Sequence, residues 1–280
     1  MPESLPRPSW HSLLRSRSAW LGMLLIGAFV SMAVAAEVIA PFSPTELNPS
    51  QRFQAPSAEH PLGTDMLGRD TLSRVIHGSR LSLAAGAVSV ALAIAVGATA
   101  GAVAGYWGGW IDLLVMRLFD IWQAFPSILV ALLVVVALPP GWTAVMLAVG
   151  LINVPVFCRQ VRATVMTIRH LDYVTAARAA GAGSRYILAR VVLPSLVNPI
   201  VVLATLGLGT AILEVAALSF LGIAGQPDDP EWGNMLKDAK NTLRSSVWLA
   251  LAPGAAISLA VLGFNLLGDG LRDALDPRRP

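Results

Sequence analysis

Lysine is almost missing from this chain: its 280 residues contain only Lys237 and Lys240, and Cys158 is the single cysteine. No G-x-x-x-x-G-K-[ST] segment surrounds either lysine, so a Walker-type phosphate loop is excluded and any nucleotide chemistry belongs to another polypeptide. The lone thiol rules out an internal disulfide and a cysteine-based metal cluster. Histidine is sparse too: His11, His60, His77 and His170 are scattered, no H-E-x-x-H occurs, and no serine sits in a G-x-S-x-G turn. The usual signatures of an intramembrane hydrolase are therefore lacking. Charged residues make up only 13% of the chain, and too few lie inside apolar runs to suggest an ion-coupled carrier with several midplane carboxylates. Nothing marks a nucleic-acid partner.

What is present is apolar surface. Hydrophobic residues are 55% of the sequence and the mean hydropathy is +0.65, which places the chain among polytopic membrane proteins. Six apolar stretches approach the length that crosses ~30 Å of hydrocarbon as helix: residues 20–40, 81–105, 114–138, 142–158, 197–223 and 247–268. The runs are continuous rather than alternating, which selects helices over a barrel. The expected class is an all-α membrane protein with about six transmembrane helices.

Basic residues gather at Arg7, Arg15 and Arg17, again from Arg159 through Arg162, Arg169, Arg178 and Arg185 to Arg190, and finally at Arg272, Arg278 and Arg279. The positive-inside rule puts these three regions on the cytoplasmic side, with both termini inside. Arg69, Arg74 and Arg80 then fall outside, against the rule. Arg15 and Arg17, the run from Trp20 to Met32 and the small residues 33–36 also fit a cleavable leader; a retained anchor helix is the reading taken.

The chain divides into a cytoplasmic N-terminus with its anchor (1–40), an external, proline-rich loop with an interfacial helix (41–80), a transmembrane domain (81–270) carrying a cytoplasmic loop at 159–196, and a tail (271–280). In the second span Gly97, Gly101 and Gly105 recur every fourth residue, so they share a face and let another helix approach closely. In the third, Asp112, Arg117 and Asp120 are expected to stabilise packing, with Arg117 reaching Asp120 at i,i+3. Pro126 should kink that helix and Pro155 should break the next. Residues 224–246 read as a second external loop. Glu214, an isolated carboxylate in the fifth span, either ties two helices together or lines a polar pathway.

Residues 172–194, D-Y-V-T-A-A-R-A-A-G-A-G-S-R-Y-I-L-A-R-V-V-L-P, carry the clearest functional signal. Asp172 is read as an N-cap, Tyr173 to Ala180 as a short helix and Gly181 as its left-handed terminator. Tyr173, Ala176, Ala177 and Ala180 share one nearly bare face into which a partner's groove can fit. A second helix from Ser184 should end at Leu193-Pro194.

This segment resembles the cytoplasmic signature of the membrane subunits of ATP-binding-cassette importers, Glu-Ala-Ala, three residues, Gly, a spacer and Leu-Pro. Ala176, Ala177, Gly181, Leu193 and Pro194 match it; Thr175 stands where that family has glutamate. G-T-D-M-L-G-R-D at 63–70, A-F-P at 124–126 and L-E-V-A-A-L-S-F-L-G at 213–222 are similar to the C-type permeases of dipeptide, oligopeptide and nickel importers. The resemblance implies the type I (MetI-like) importer permease fold and import of short peptides, with nickel or another small solute as the alternative. It implies a heterodimer with a related B-type permease, an external substrate-binding protein, and two cytoplasmic ATPases that bind ATP and Mg, while this chain binds no cofactor. ATPase docking would fall to Tyr173, Thr175, Ala176, Ala177, Arg178, Ala180, Gly181, Leu193 and Pro194.

Overall fold

The computed structural model describes residues 16–226, 228–244 and 246–275; Arg7, Arg15, Arg278 and Arg279 of the charge pattern lie outside them. The chain runs α1 (Arg17–Val34), α2 (Thr71–Trp107), α3 (Gly109–Gln123), α4 (Ser127–Ala137), α5 (Trp142–Ile168), α6 (Asp172–Ala179), α7 (Ser184–Ile187), α8 (Val197–Phe220), α9 (Trp232–Ala239) and α10 (Trp248–Leu275). Among the described residues there is no strand, only one isolated bridge between Thr64 and Asp70. The protein is an all-α, multi-pass membrane protein. α1, α2, α5, α8 and α10 are each long and apolar enough to cross a bilayer, and α3 with α4 makes a sixth span if that pair is counted as one.

The third span is not a continuous helix. α3 and α4 meet at 89°, with Pro126 at the break. Proline has no N–H to donate and its ring clashes with the carbonyl four residues back, so the helix ends before it. Pro155 does the opposite of what was expected. It lies inside α5, which continues for 27 residues to Ile168; transmembrane helices tolerate an interior proline where packed neighbours support the freed backbone.

α5 is the most buried span and forms the axis of the fold. α2 lies against it along the glycine stripe. A Cβ on Gly97 would sit 2.5 Å from the Val154 carbonyl oxygen, one on Gly105 2.8 Å from that of Arg162, and one on Gly101 would press on that of Cys158. Three glycines thus meet three carbonyls at the same four-residue interval. In lipid, where apolar side chains gain nothing by leaving the solvent, such close backbone approach supplies dispersion contacts that hold helices together. α1 packs on α10 in the same way, with Gly22 against Gly263 and Leu267, and Gly270 against Ala19. The anchor helix is therefore an integral part of the bundle.

Between α1 and α2, residues 41–70 fold back onto the helix ends. The interfacial helix expected before the second span does not form as a separate element: Leu72, Val75 and Ile76 belong to the first turns of α2. Asp70 caps that helix, its Oδ2 accepting from the Ser73 amide and hydroxyl at 2.7 Å and its Oδ1 facing His60 Nδ1 at 2.9 Å. Arg69 and Arg74, two of the arginines that ran against the positive-inside rule, are 2% and 1% exposed. Arg69 donates to Asp65 at 2.6 Å, Asp228 at 3.2 Å and Asp238 at 3.3 Å. The segment between α8 and α10 contains α9, capped by the buried Glu231 through the Asn234 amide at 3.0 Å. Trp232 is fully buried, donates its indole N–H to the Val75 carbonyl at 3.0 Å and packs edge-on against Phe29.

Candidate functional site

α6 begins at Asp172, so Leu171 occupies the cap position and Asp172 is the first helical residue. Asp172 does not cap by side chain as expected, but it still stands at the positive end of the helix dipole. Gly181 ends the helix in the left-handed region, φ +86°, and the Ala182 amide closes on the Ala177 carbonyl at 3.1 Å. Open space surrounds Gly181, so glycine is required there for its backbone angle rather than for room.

The expected docking face is split by the structure. Val174 is fully buried, Tyr173 and Ala177 are half-buried against the core beneath, and the Tyr173 hydroxyl meets Ser195 Oγ at 3.2 Å. Tyr173 is thus an anchor into the chain's own body and not a knob offered outward. The exposed side consists of Asp172, Thr175, Ala176 and Ala179, at i, i+3, i+4 and i+7, with Arg178, Ala180 and Gly181 at its edge. Leu193 and Pro194 are exposed in the adjoining turn.

Pro194 does not stop the helical path. α7 widens into a π turn at Leu188–Val192 and continues through Leu193–Ser195 toward α8. The wide turn lies where the Pro194 ring would crowd the Arg190 carbonyl, which accounts for its position.

Within the spans, charges are paired across helices. Asp112 on α3 receives Arg162 of α5 through two hydrogen bonds, one of 2.6 Å from Nη2, and Asp120 receives Arg159 Nη2 at 2.7 Å. The Arg117–Asp120 pair expected within one helix is not formed: the longer reach across to α5 clamps the near arm of the broken span instead. Glu214 on α8 accepts from Asn153 Nδ2 on α5 at 2.6 Å. Both residues line a cavity of about 480 Å³ beside the Pro126 break.

These features coincide with a family match. Residues 97–279 fit the family described as the binding-protein-dependent transport system inner membrane component, and residues 4–56 fit the N-terminal TM domain of oligopeptide transport permease C. The chain belongs to this permease family. It is 46% identical to a dipeptide transport system permease protein of Alkalihalophilus pseudofirmus over 97% of this chain and 90% of that one. Identity is 40% with the corresponding protein of Haemophilus influenzae, over 99% and 96% of the two chains. A glutathione transport system permease protein of Pectobacterium atrosepticum is 41% identical over 97% and 91%.

Several residues of the permease escaped sequence reasoning. Asn153 sits in an apolar run with no periodic signal, and only the fold brings it to Glu214 across 61 positions. Arg159 and Arg162 were counted as loop charges. Their pairing with Asp120 and Asp112, 39 and 50 positions away on another helix, becomes visible only once α3 and α5 are adjacent.

Proposed function

We propose that this chain forms half of the translocation pathway of an ATP-driven importer of short peptides in the bacterial inner membrane. It pairs with a related B-type permease, receives substrate from an external binding protein and docks a cytoplasmic ATPase through α6. ATP and Mg belong to the two ATPase subunits. The observation that carries this reading is the build of α6: one side is tied to the bundle through Val174 and Tyr173, the other is exposed and nearly free of bulk. Such an anchored element can pass the closing of a soluble partner to the spans as a rigid lever. The relatives named for dipeptides and glutathione support a peptide substrate and do not favour nickel.

Ala176→Glu places charge and volume on the exposed side of α6. It is expected to lower recovery of the ATPase subunits with the purified permease, and peptide uptake with it, by at least about tenfold, the equivalent of ~1.4 kcal/mol. Membrane insertion should be unchanged. Undiminished recovery and uptake would refute docking at this face.

The orientation with both termini cytoplasmic is supported by charge compensation. Outside, Arg69 and Arg74 face Asp65, Asp228 and Asp238, and Arg80 pairs with Glu37 at 2.8 Å. The hydrogen bond from Arg80 holds the Glu37 carboxyl below the usual carboxylate range. Compensated in this way, these arginines oppose the positive-inside rule far less than their number suggests. In a Cys158→Ala background, a cysteine at Ala58 should react with an impermeant thiol reagent in sealed cells, and one at Ser184 only after the membrane is opened. The reverse pattern would invert the topology.

A further inference from the structure

The cavity beside the Pro126 break has an unusual balance of polar groups. Asn153 Nδ2 donates to the Val149 carbonyl of its own helix at 2.9 Å and to Glu214 Oε2 at 2.6 Å, so both of its hydrogens are used. Asn153 is 8% exposed, which leaves this orientation little freedom. Glu214 Oε1 and Asn153 Oδ1 have no partner among the described residues, and neither is sealed off as a buried unpaired atom. The pair therefore offers the cavity two acceptors and no donor.

We propose that Glu214 and Asn153 form a subsite for the amino-terminal ammonium group of a transported peptide, an inference that rests on the peptide-import reading above. An ammonium is the complementary group: it has three N–H donors, no acceptor and a positive charge for the carboxylate. A peptide carboxylate would be repelled. Phe125, Val130, Ile152 and Val156 supply apolar wall for the first side chain. Trp122 is also in the wall, with its indole N–H buried and without an acceptor among the described residues. A hydrogen bond serving helix packing alone would need one carboxylate oxygen and no cavity. Here the second oxygen opens on about 480 Å³ of space.

The test compares uptake of one peptide with a free amino terminus and its N-acetylated form by the complete transporter, wild type and Glu214→Gln. Glutamine keeps the bond to Asn153 and loses the charge. The expected result is at least about a tenfold fall for the free peptide and little change for the acetylated one. Equal losses for both, or no loss, would overturn the subsite. An independent measurement uses Ser127→Cys in a Cys158→Ala background, labelled in the assembled complex during ATP turnover by a cationic and an anionic methanethiosulfonate. The cationic preference should be several-fold and vanish with Glu214→Gln; an unchanged ratio overturns the subsite even where transport is normal. Absence of ATP-driven uptake by the wild-type complex, with the charge-dependent labelling intact, would instead overturn the peptide-import reading and this substrate assignment with it.

Discussion

An Arg69→Ala chain is expected to lose about 3–5 kcal/mol of folded-state stability, the usual cost of removing one partner from a buried charge pair. Arg69 is 2% exposed and is the centre on which Asp65, Asp228 and Asp238 converge. Without it, the Asp65 carboxylate, with a side chain only 11% exposed, keeps the Arg74 guanidinium at 3.8 Å as its remaining cationic partner. Burial already pushes the Asp238 carboxyl above the usual carboxylate range, with Arg69 and then Arg74 pulling it back. Losing Arg69 removes the larger of those two pulls. The change should release α9 from the segment before α2, since Arg69 is the group that joins them. Asp228→Asn gives the contrast: the Asp228 side chain is 77% exposed, and its removal should cost no more than about 1 kcal/mol. Thermal unfolding of the detergent-purified chain measures both. Comparable small shifts for the two variants would show that the arginine is not the centre of the cluster.

Gly101→Leu should prevent the bundle from assembling. A Cβ at this position would press on the Cys158 carbonyl, and a backbone group inside α5 cannot rotate aside as a side chain could. Overpacking in a soluble core commonly costs about 1–3 kcal/mol and can be larger; here the obstacle is helix against helix, and α2 would have to leave α5 along the whole stripe. Gly101→Ala already carries the offending atom and should be impaired as well. Gly27 in α1 has nothing within 4 Å of its would-be Cβ, so Gly27→Ala should be neutral. Size-exclusion profiles of the solubilised chain would show it: aggregated or absent protein for Gly101→Leu, a wild-type peak for Gly27→Ala. A monodisperse, full-yield Gly101→Leu chain would contradict the close approach of α2 and α5.

The contrast between these two glycines shows how far sequence reasoning reached. The four-residue interval of Gly97, Gly101 and Gly105 announced a packing face before any partner was known, because helical geometry alone puts such residues in line. It did not identify α5 as the partner, nor the matching row of Val154, Cys158 and Arg162 carbonyls. Pro126 was legible as a kink, since a missing N–H acts locally, whereas the full break at 89° was not. Pro155 and Pro194 share the same chemistry with Pro126 and lie within continuing helical paths, one inside a packed span and one after a wide turn. Whether a proline ends a helix depends on what supports the backbone around it, and that support comes from other segments.

Local properties of the chain determined its class, its apolar spans, the glycine that terminates α6 and the signature that marks the permease family. Each follows from hydropathy, spacing or backbone angle within a short window. Tertiary structure alone decided which side of α6 is exposed: periodicity grouped Tyr173 with Ala176 and Ala177, but the core beneath claimed Tyr173 and Val174. It also decided where the charges went. Arg69 to Asp238 and Asn153 to Glu214 are pairings across 169 and 61 positions, and isolated charges in a sequence carry no label for their partners. In lipid and in buried loop segments an unpaired charge is too costly to leave alone, so the fold as a whole, not any single segment, assigns each one.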